Sequence, residues 1–223
     1  LTLSIFLFVN AGLTGFFNAN LHDIIYKVIQ TPLVGLGSSI WATLVAIFFV
    51  QFLWFFGLHG QILVNSVMDP IWNTLMLDNL EAYQAGKHLP HIISKSFMET
   101  FTVGLGGSGM TLAVVIIMAF ILKKKMYKDV GRLALGAGLF NVNEPVIFGL
   151  PIVLNATILI PWVLAPIVVT AFNYTVMAVG IVPAPTGVAV PWTVPVFFSG
   201  MLATNSILGG VLQLVDMVIV GFI

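Results

Sequence analysis

Cysteine is absent from the 223-residue sequence, and charge is nearly so: eight basic and eight acidic side chains make up 7% of it. Without cysteine this chain has no disulfide, thiolate metal site or cysteine nucleophile, so any thiol chemistry must come from another protein. The scarcity of charge excludes a soluble domain, in which about a quarter of residues would be charged. A net charge of zero argues against nucleic acid as a partner, because a phosphate-binding face needs clustered Lys and Arg beyond what one short loop supplies. His88 and His91 have helix-face spacing but no further ligands nearby, so neither a metal site nor a cofactor is expected.

What remains is apolar: 59% of residues are hydrophobic, and mean hydropathy is +1.09. No Asp, Glu, Lys or Arg stands between Lys27 and Asp69 or between Glu144 and Asp216, and each gap exceeds the roughly 20 apolar residues of a membrane span. Spans are expected over 40–58, 104–122, 152–182, with kinks at Pro161 and Pro166, and 197–223. Trp41 and Trp54 fit the ends of the first as interfacial aromatics. Residues 60–103 carry Asp69, Asp78, Glu81, Lys87, Lys95 and Glu99, with Pro70, Gly86 and Pro90 as punctuation, and are expected to form short surface helices or to dip into the membrane. Five of the eight basic residues fall within 123–132, which the positive-inside rule places in the cytoplasm.

Two segments break the apolar pattern. Asn141-Val-Asn143-Glu144-Pro145 interrupts 133–151, and Pro183, Pro185, Pro191 and Pro195 crowd a second uncharged stretch. If Arg132 marks the inner surface, a continuous helical rise carries Glu144 about 18 Å inward, near the midplane of a core about 30 Å thick. Pro145 disfavours helical geometry at Glu144, and broken backbone at depth survives only inside protein or along a polar cavity. A re-entrant hairpin is the economical reading. The expected fold is therefore an all-α membrane protein, a polytopic helix bundle with two re-entrant or broken helical segments. Two interrupted segments in one membrane chain point to a transporter's binding site.

Candidate site residues follow from this pattern. Glu144 is the one formally charged residue between Arg132 and Asp216, and a carboxylate at depth is costly enough to suggest a substrate or proton site. His59 ends a span beside Gly57 and Gly60. Trp192 sits among prolines, where its face suits a sugar ring and its indole equally suits the membrane interface. Gly104-Leu-Gly-Gly-Ser-Gly109 matches a dinucleotide fingerprint literally, but no strand precedes it, so close backbone packing or a hairpin tip is expected instead.

The run Phe140-Asn-Val-Asn143-Glu144-Pro145-Val-Ile-Phe-Gly149-Leu-Pro151, with Gly57-Leu-His59-Gly60 upstream and the proline-rich Trp192 segment downstream, resembles the membrane IIC component of the sugar phosphotransferase system. The similarity is to the lactose, cellobiose and diacetylchitobiose branch. The resemblance implies a multi-pass bacterial inner-membrane protein, in contact with membrane lipid, that binds a β-linked disaccharide at midmembrane. It implies an elevator-like inward shift, and phosphorylation of the sugar by a phosphocysteine on a cytoplasmic IIB partner. Glu144 would then hold the reacting hydroxyl as the catalytic residue, with His59, Asn143 and Trp192 also binding substrate. The chain would be one subunit of a phosphotransferase complex whose donor residue lies on the partner, and a homodimer in its full-length form.

Leu1 opens inside one apolar run and Ile223 closes inside another, so a fragment is expected: residues 1–39 as the end of an interface region with an amphipathic connector, and 40–223 as a substrate-binding domain truncated at its C-terminus. The competing class is an ion-coupled secondary sugar transporter with Glu144 as proton carrier. A membrane interaction subunit without substrate leaves the buried Glu144 unexplained.

Overall fold

The computed structural model describes Gly35 and residues 37–150 and 152–223. The amphipathic connector expected within 1–39 lies almost wholly outside the described residues, as does Pro151. Among the described residues the chain is helical without a strand. Its helices are α1 (Ile40–Phe55), α2 (Gly60–Gln84), α3 (Lys95–Met98), α4 (Leu112–Ile116), α5 (Lys125–Leu139), α6 (Glu144–Gly149), α7 (Ala156–Ala178), α8 (Phe198–Thr204) and α9 (Ile207–Phe222), with π-helical turns continuing α3 over Glu99–Val103 and α4 over Ile117–Ile121.

Helix α1 has no charged residue and packs against α2 and α7. Trp41 is 75% exposed at its start. Trp54 is instead buried, within a cluster that includes Val146, Ile147 and Trp162, which corrects the interfacial reading: its face of the helix meets protein. The chain then reverses at Gly57 (φ +77°), and His59 caps α2 by accepting the Ile62 N–H. Gly60 is required by contact rather than by dihedral, since a Cβ there would lie 2.0 Å from the Val50 carbonyl oxygen. The Gly-Leu-His-Gly run is thus a tight crossing that sets His59 beside Trp54.

Residues 60–84 form one long helix rather than short surface pieces, and Pro70 lies inside it. An interior proline removes one backbone hydrogen bond; here Ile71, Trp72 and Leu75 are buried immediately after it, in a cluster with Phe97 and Phe101, and this packing outweighs the loss. His88 and His91 lie in the non-helical stretch that follows, so they share no helix face.

The span expected over 104–122 becomes helical only at Leu112. Its first eight residues make a turn in which Gly106, Gly107 and Gly109 all have positive φ. The expected final span divides at Asn205, which is left-handed (φ 49°, ψ 36°), and Ser206 caps α9. Among the described residues α7, with Pro161 and Pro166 inside it, is the one helix long and apolar enough to cross a membrane by length and composition. Three shorter apolar helices cover Ile40–Phe55, Leu112–Ile121 and Ile207–Phe222. Both expected interruptions are present, as the turn between α5 and α6 and as an irregular stretch between α7 and α8.

Candidate functional site

The interruption before α6 differs from expectation in its detail. Glu144 is not forced out of helical geometry by Pro145; it is the first helical residue, and Pro145 occupies the first turn, where a missing N–H has no intrahelical partner to lose. The helical rise from Arg132 stops at Leu139, so a turn, not a continuous helix, carries Glu144 to its position. Asn143 precedes the helix, and its carbonyl accepts from Val146 and Ile147 N–H at 2.9 and 3.0 Å. Its side-chain Nδ2 donates to the Ser108 carbonyl at 2.5 Å.

Asn141 joins three parts of the chain. It has φ +64°, a conformation Asn tolerates better than other residues with a Cβ. Its Oδ1 accepts the Gly106 N–H at 2.8 Å, and its Nδ2 donates to the carbonyls of Trp192 at 2.6 Å and Val194 at 3.1 Å. The glycine turn comes close enough for these bonds because Gly107 lacks a side chain: a Cβ there would sit 2.7 Å from the Asn141 carbonyl oxygen and 2.8 Å from Asn143 Cγ. The literal dinucleotide match is therefore a packing device, as its sequence context implies.

These contacts enclose a cavity of about 300 Å³ whose walls include His59, Asn143, Glu144 and Trp192 together. The four side chains expected to bind substrate meet there. The remaining walls hold Trp54, Gln61, Asn65, Glu99, Ser108 and Asn141, none of which sequence reasoning placed at the site. Gln61 and Asn65 are linked through Nε2 and Oδ1 at 3.3 Å, and their i,i+4 spacing on the first turns of α2 is a signal that could have found them. Trp54 gave no such signal, because it is embedded in an apolar run. Its ring centroid lies 4.5 Å from that of His59.

The two carboxylates on the cavity differ electrostatically. Glu99 Oε1 lies 2.7 Å from Lys95 Nζ, which also meets Asp69 Oδ1 at 2.6 Å. The Glu144 carboxylate makes no hydrogen bond or ion pair with any described residue, and no Lys or Arg lines the cavity. Glu99 is paired within the protein through a lysine it shares with Asp69, whereas Glu144 has no such partner among the described residues. Two indoles, an imidazole, amides and one unpaired carboxylate suit an uncharged, hydroxyl-rich ligand with an apolar ring face.

The family model described as "Phosphotransferase system, EIIC" matches residues 1–166. The chain belongs to the phosphotransferase system EIIC family. It is similar to the oligo-beta-mannoside-specific EIIC component of Bacillus subtilis (strain 168), with 62% identity over 220 residues, covering 99% of this chain and 50% of that protein. It is also similar to the cellobiose-specific EIIC component of Geobacillus stearothermophilus, at 43% identity over 198 residues, covering 87% of this chain and 44% of the relative. Among solved structures, the crystal structure of the transporter ChbC, the IIC component from the N,N'-diacetylchitobiose-specific phosphotransferase system, superposes with a TM-score of 0.95 at 38% identity, covering 98% of this chain and 51% of that one. This EIIC chain thus spans about half the length of these relatives. Membership makes it an all-helical membrane protein, and α9 leaves apolar side chains such as Ile207, Val218 and Phe222 exposed among the described residues.

Proposed function

We propose that this chain is the sugar-binding part of an EIIC component, which holds a β-linked disaccharide in the cavity between α2, α6 and the Trp192 segment and moves it inward coupled to its phosphorylation. The observation that carries the reading is the convergence of His59, Asn143, Glu144 and Trp192 on one cavity without a cation in its lining. The relatives named for oligo-beta-mannoside and cellobiose support the substrate class.

In this mechanism the reacting sugar hydroxyl hydrogen-bonds to Glu144. As that oxygen bonds to phosphorus, its proton passes to the carboxylate, while the phosphorus–sulfur bond of a phosphocysteine on the IIB partner breaks and sulfur departs as thiolate. Phosphoryl transfer asks chiefly for positioning and charge stabilisation, and an unpaired carboxylate serves as the proton acceptor. His59 Nδ1 accepts the Ile62 N–H at 3.4 Å, which leaves Nε2–H of the neutral ring to donate to a hydroxyl. Asn143 Oδ1 is an acceptor for another, and Trp192, 47% exposed on the cavity wall, covers a ring face.

The complete protein is a homodimer that crosses the bacterial inner membrane several times, with the basic 123–132 segment in the cytoplasm and residues 40–223 as the substrate-binding domain. The test is to load vesicles carrying the complete protein with phosphorylated IIB and add labelled cellobiose outside. Internal label is expected as sugar phosphate. Unmodified internal cellobiose that accumulates with a proton gradient would establish the ion-coupled alternative instead.

A further inference from the structure

Behind the cavity wall, α9 carries two buried polar side chains, Gln213, which meets the π-turn over Glu99–Val103, and Asp216, which meets Asn173 of α7. Gln213 is satisfied throughout: Oε1 accepts the N–H groups of Phe197 at 2.9 Å and Gly200 at 2.8 Å, and Nε2 donates to the Thr100 carbonyl at 2.8 Å. Three residues on, the pattern repeats and stops short. Asn173 of α7 donates from Nδ2 to the Phe101 carbonyl at 3.3 Å and to Asp216 Oδ2 at 2.9 Å, which uses both amide hydrogens. Asp216 and Asn173 are each 0% exposed, yet Asp216 Oδ1 and Asn173 Oδ1 have no partner among the described residues.

Two buried acceptors without a donor are costly, and an ionised carboxylate with one bare oxygen is costlier still. Among the described residues the neighbouring elements bring no cation. Helices α4 and α8 carry no titratable side chain, α7 carries Tyr174, packed into an apolar cluster, and the π-turn carries Glu99, already held by Lys95. The buried hydroxyls of Thr100 and Thr170 reach neither oxygen. A carboxyl and a carboxamide that already share one N–H···O bond can close a ring through their remaining oxygens if one of these carries a hydrogen.

We propose that Asp216 and Asn173 form a proton-binding site: Asp216 is the neutral acid, donating from Oδ1 to Asn173 Oδ1 while Oδ2 accepts from Nδ2. A single proton satisfies both bare atoms. The closed pair fastens α9 to α7 and, through the Phe101 carbonyl, to the π-turn that presents Glu99 to the cavity. The site is independent of which sugar binds.

The experiment is infrared difference spectroscopy of the complete protein in lipid nanodiscs at pH 7, wild type minus Asp216→Asn, joined to thermal melts. A carbonyl-stretch band of a protonated carboxylic acid, shifted in heavy water, is expected in the wild type and missing from the variant. Asn at 216 can make the same two bonds as an amide pair, so its melting temperature should stay within about 3 °C of wild type, whereas Asp216→Leu should melt well below both. Absence of the acid band overturns the proposal, because a water or a monovalent cation then bridges an ionised Asp216. An Asp216→Asn protein that fails to fold, or melts as low as Asp216→Leu, overturns it as well.

Discussion

Replacing Glu144 with Gln keeps the length of the side chain and removes one charge and one proton acceptor. No described residue pairs with the carboxylate, so the change orphans nothing within the protein. The cost to folding is the charge in the first turn of the six-residue α6, about 0.3–1 kcal/mol, or a fall in melting temperature of about 1–4 °C. Binding loses the difference between a charge-assisted and a neutral hydrogen bond, about 1 kcal/mol or roughly fivefold in affinity. Chemistry loses its base, which contributes on the order of 100- to 10,000-fold. The two effects therefore separate by at least an order of magnitude. Glu144→Asp keeps the base but withdraws it by about 1 Å, for a loss of about a hundredfold. Sugar affinity and IIB-dependent phosphorylation are to be measured on the same preparations of the complete protein. A Gln variant that phosphorylates within tenfold of wild type would reduce Glu144 to a helix cap and remove the proposed proton acceptor.

Trp192→Ala should weaken sugar binding severalfold to tenfold, for a stacking contribution of about 0.5–1.5 kcal/mol, with Trp192→Phe intermediate; unchanged calorimetric affinity in both returns Trp192 to an interfacial role. Asn141→Ala removes three hydrogen bonds and places at φ +64° a residue that tolerates it less well than Asn, about 3 kcal/mol in all, so a melt in detergent should fall by about 6–12 °C; a fall under about 2 °C contradicts its joining role. Gly60→Ala must displace the start of α2 from the Val50 carbonyl, at a cost of about 1–3 kcal/mol, and is expected to weaken sugar binding together with stability because His59 moves with it; wild-type affinity would show that His59 is not held by that crossing. A cysteine introduced at Lys124 should react with an impermeant maleimide only after cells are permeabilised, and labelling of intact cells reverses the orientation.

Much of the site was legible because its chemistry conflicts with its surroundings. Glu144 stands out in an apolar run, and prolines mark the Trp192 segment. Trp54 was misread because an indole in an apolar run has the same local sequence whether it faces lipid or a cavity, and only the crossing at Gly60 decides between them. The 104–111 turn was absorbed into a span for a related reason. Water-facing turns are marked by polar residues, whereas this one is sheltered by Asn141, Asn143 and Trp162 and can be built of glycine and apolar residues. Pro70 misled in the opposite direction, since its local cost is outweighed by burial of Trp72 and Leu75, which no short window contains. Neither π-helical turn has a pattern of its own, so the pairing of successive carbonyls of Thr100 and Phe101 with the amides of Gln213 and Asn173 was invisible before folding.

The bonds of Asn141 bear on how a cargo can leave. The glycine turn, the turn before α6 and the Trp192 segment come from three distant stretches of sequence, and a gate that opened between any two of them would have to tear buried or part-buried hydrogen bonds at 2.6–3.1 Å on every cycle. A vessel stitched along these seams releases its contents more cheaply by being carried whole to the other side, with sliding confined to its outer apolar faces, where no polar bond is at stake. Within the transport cycle proposed above, the stitching amide favours a travelling container over a hinged lid.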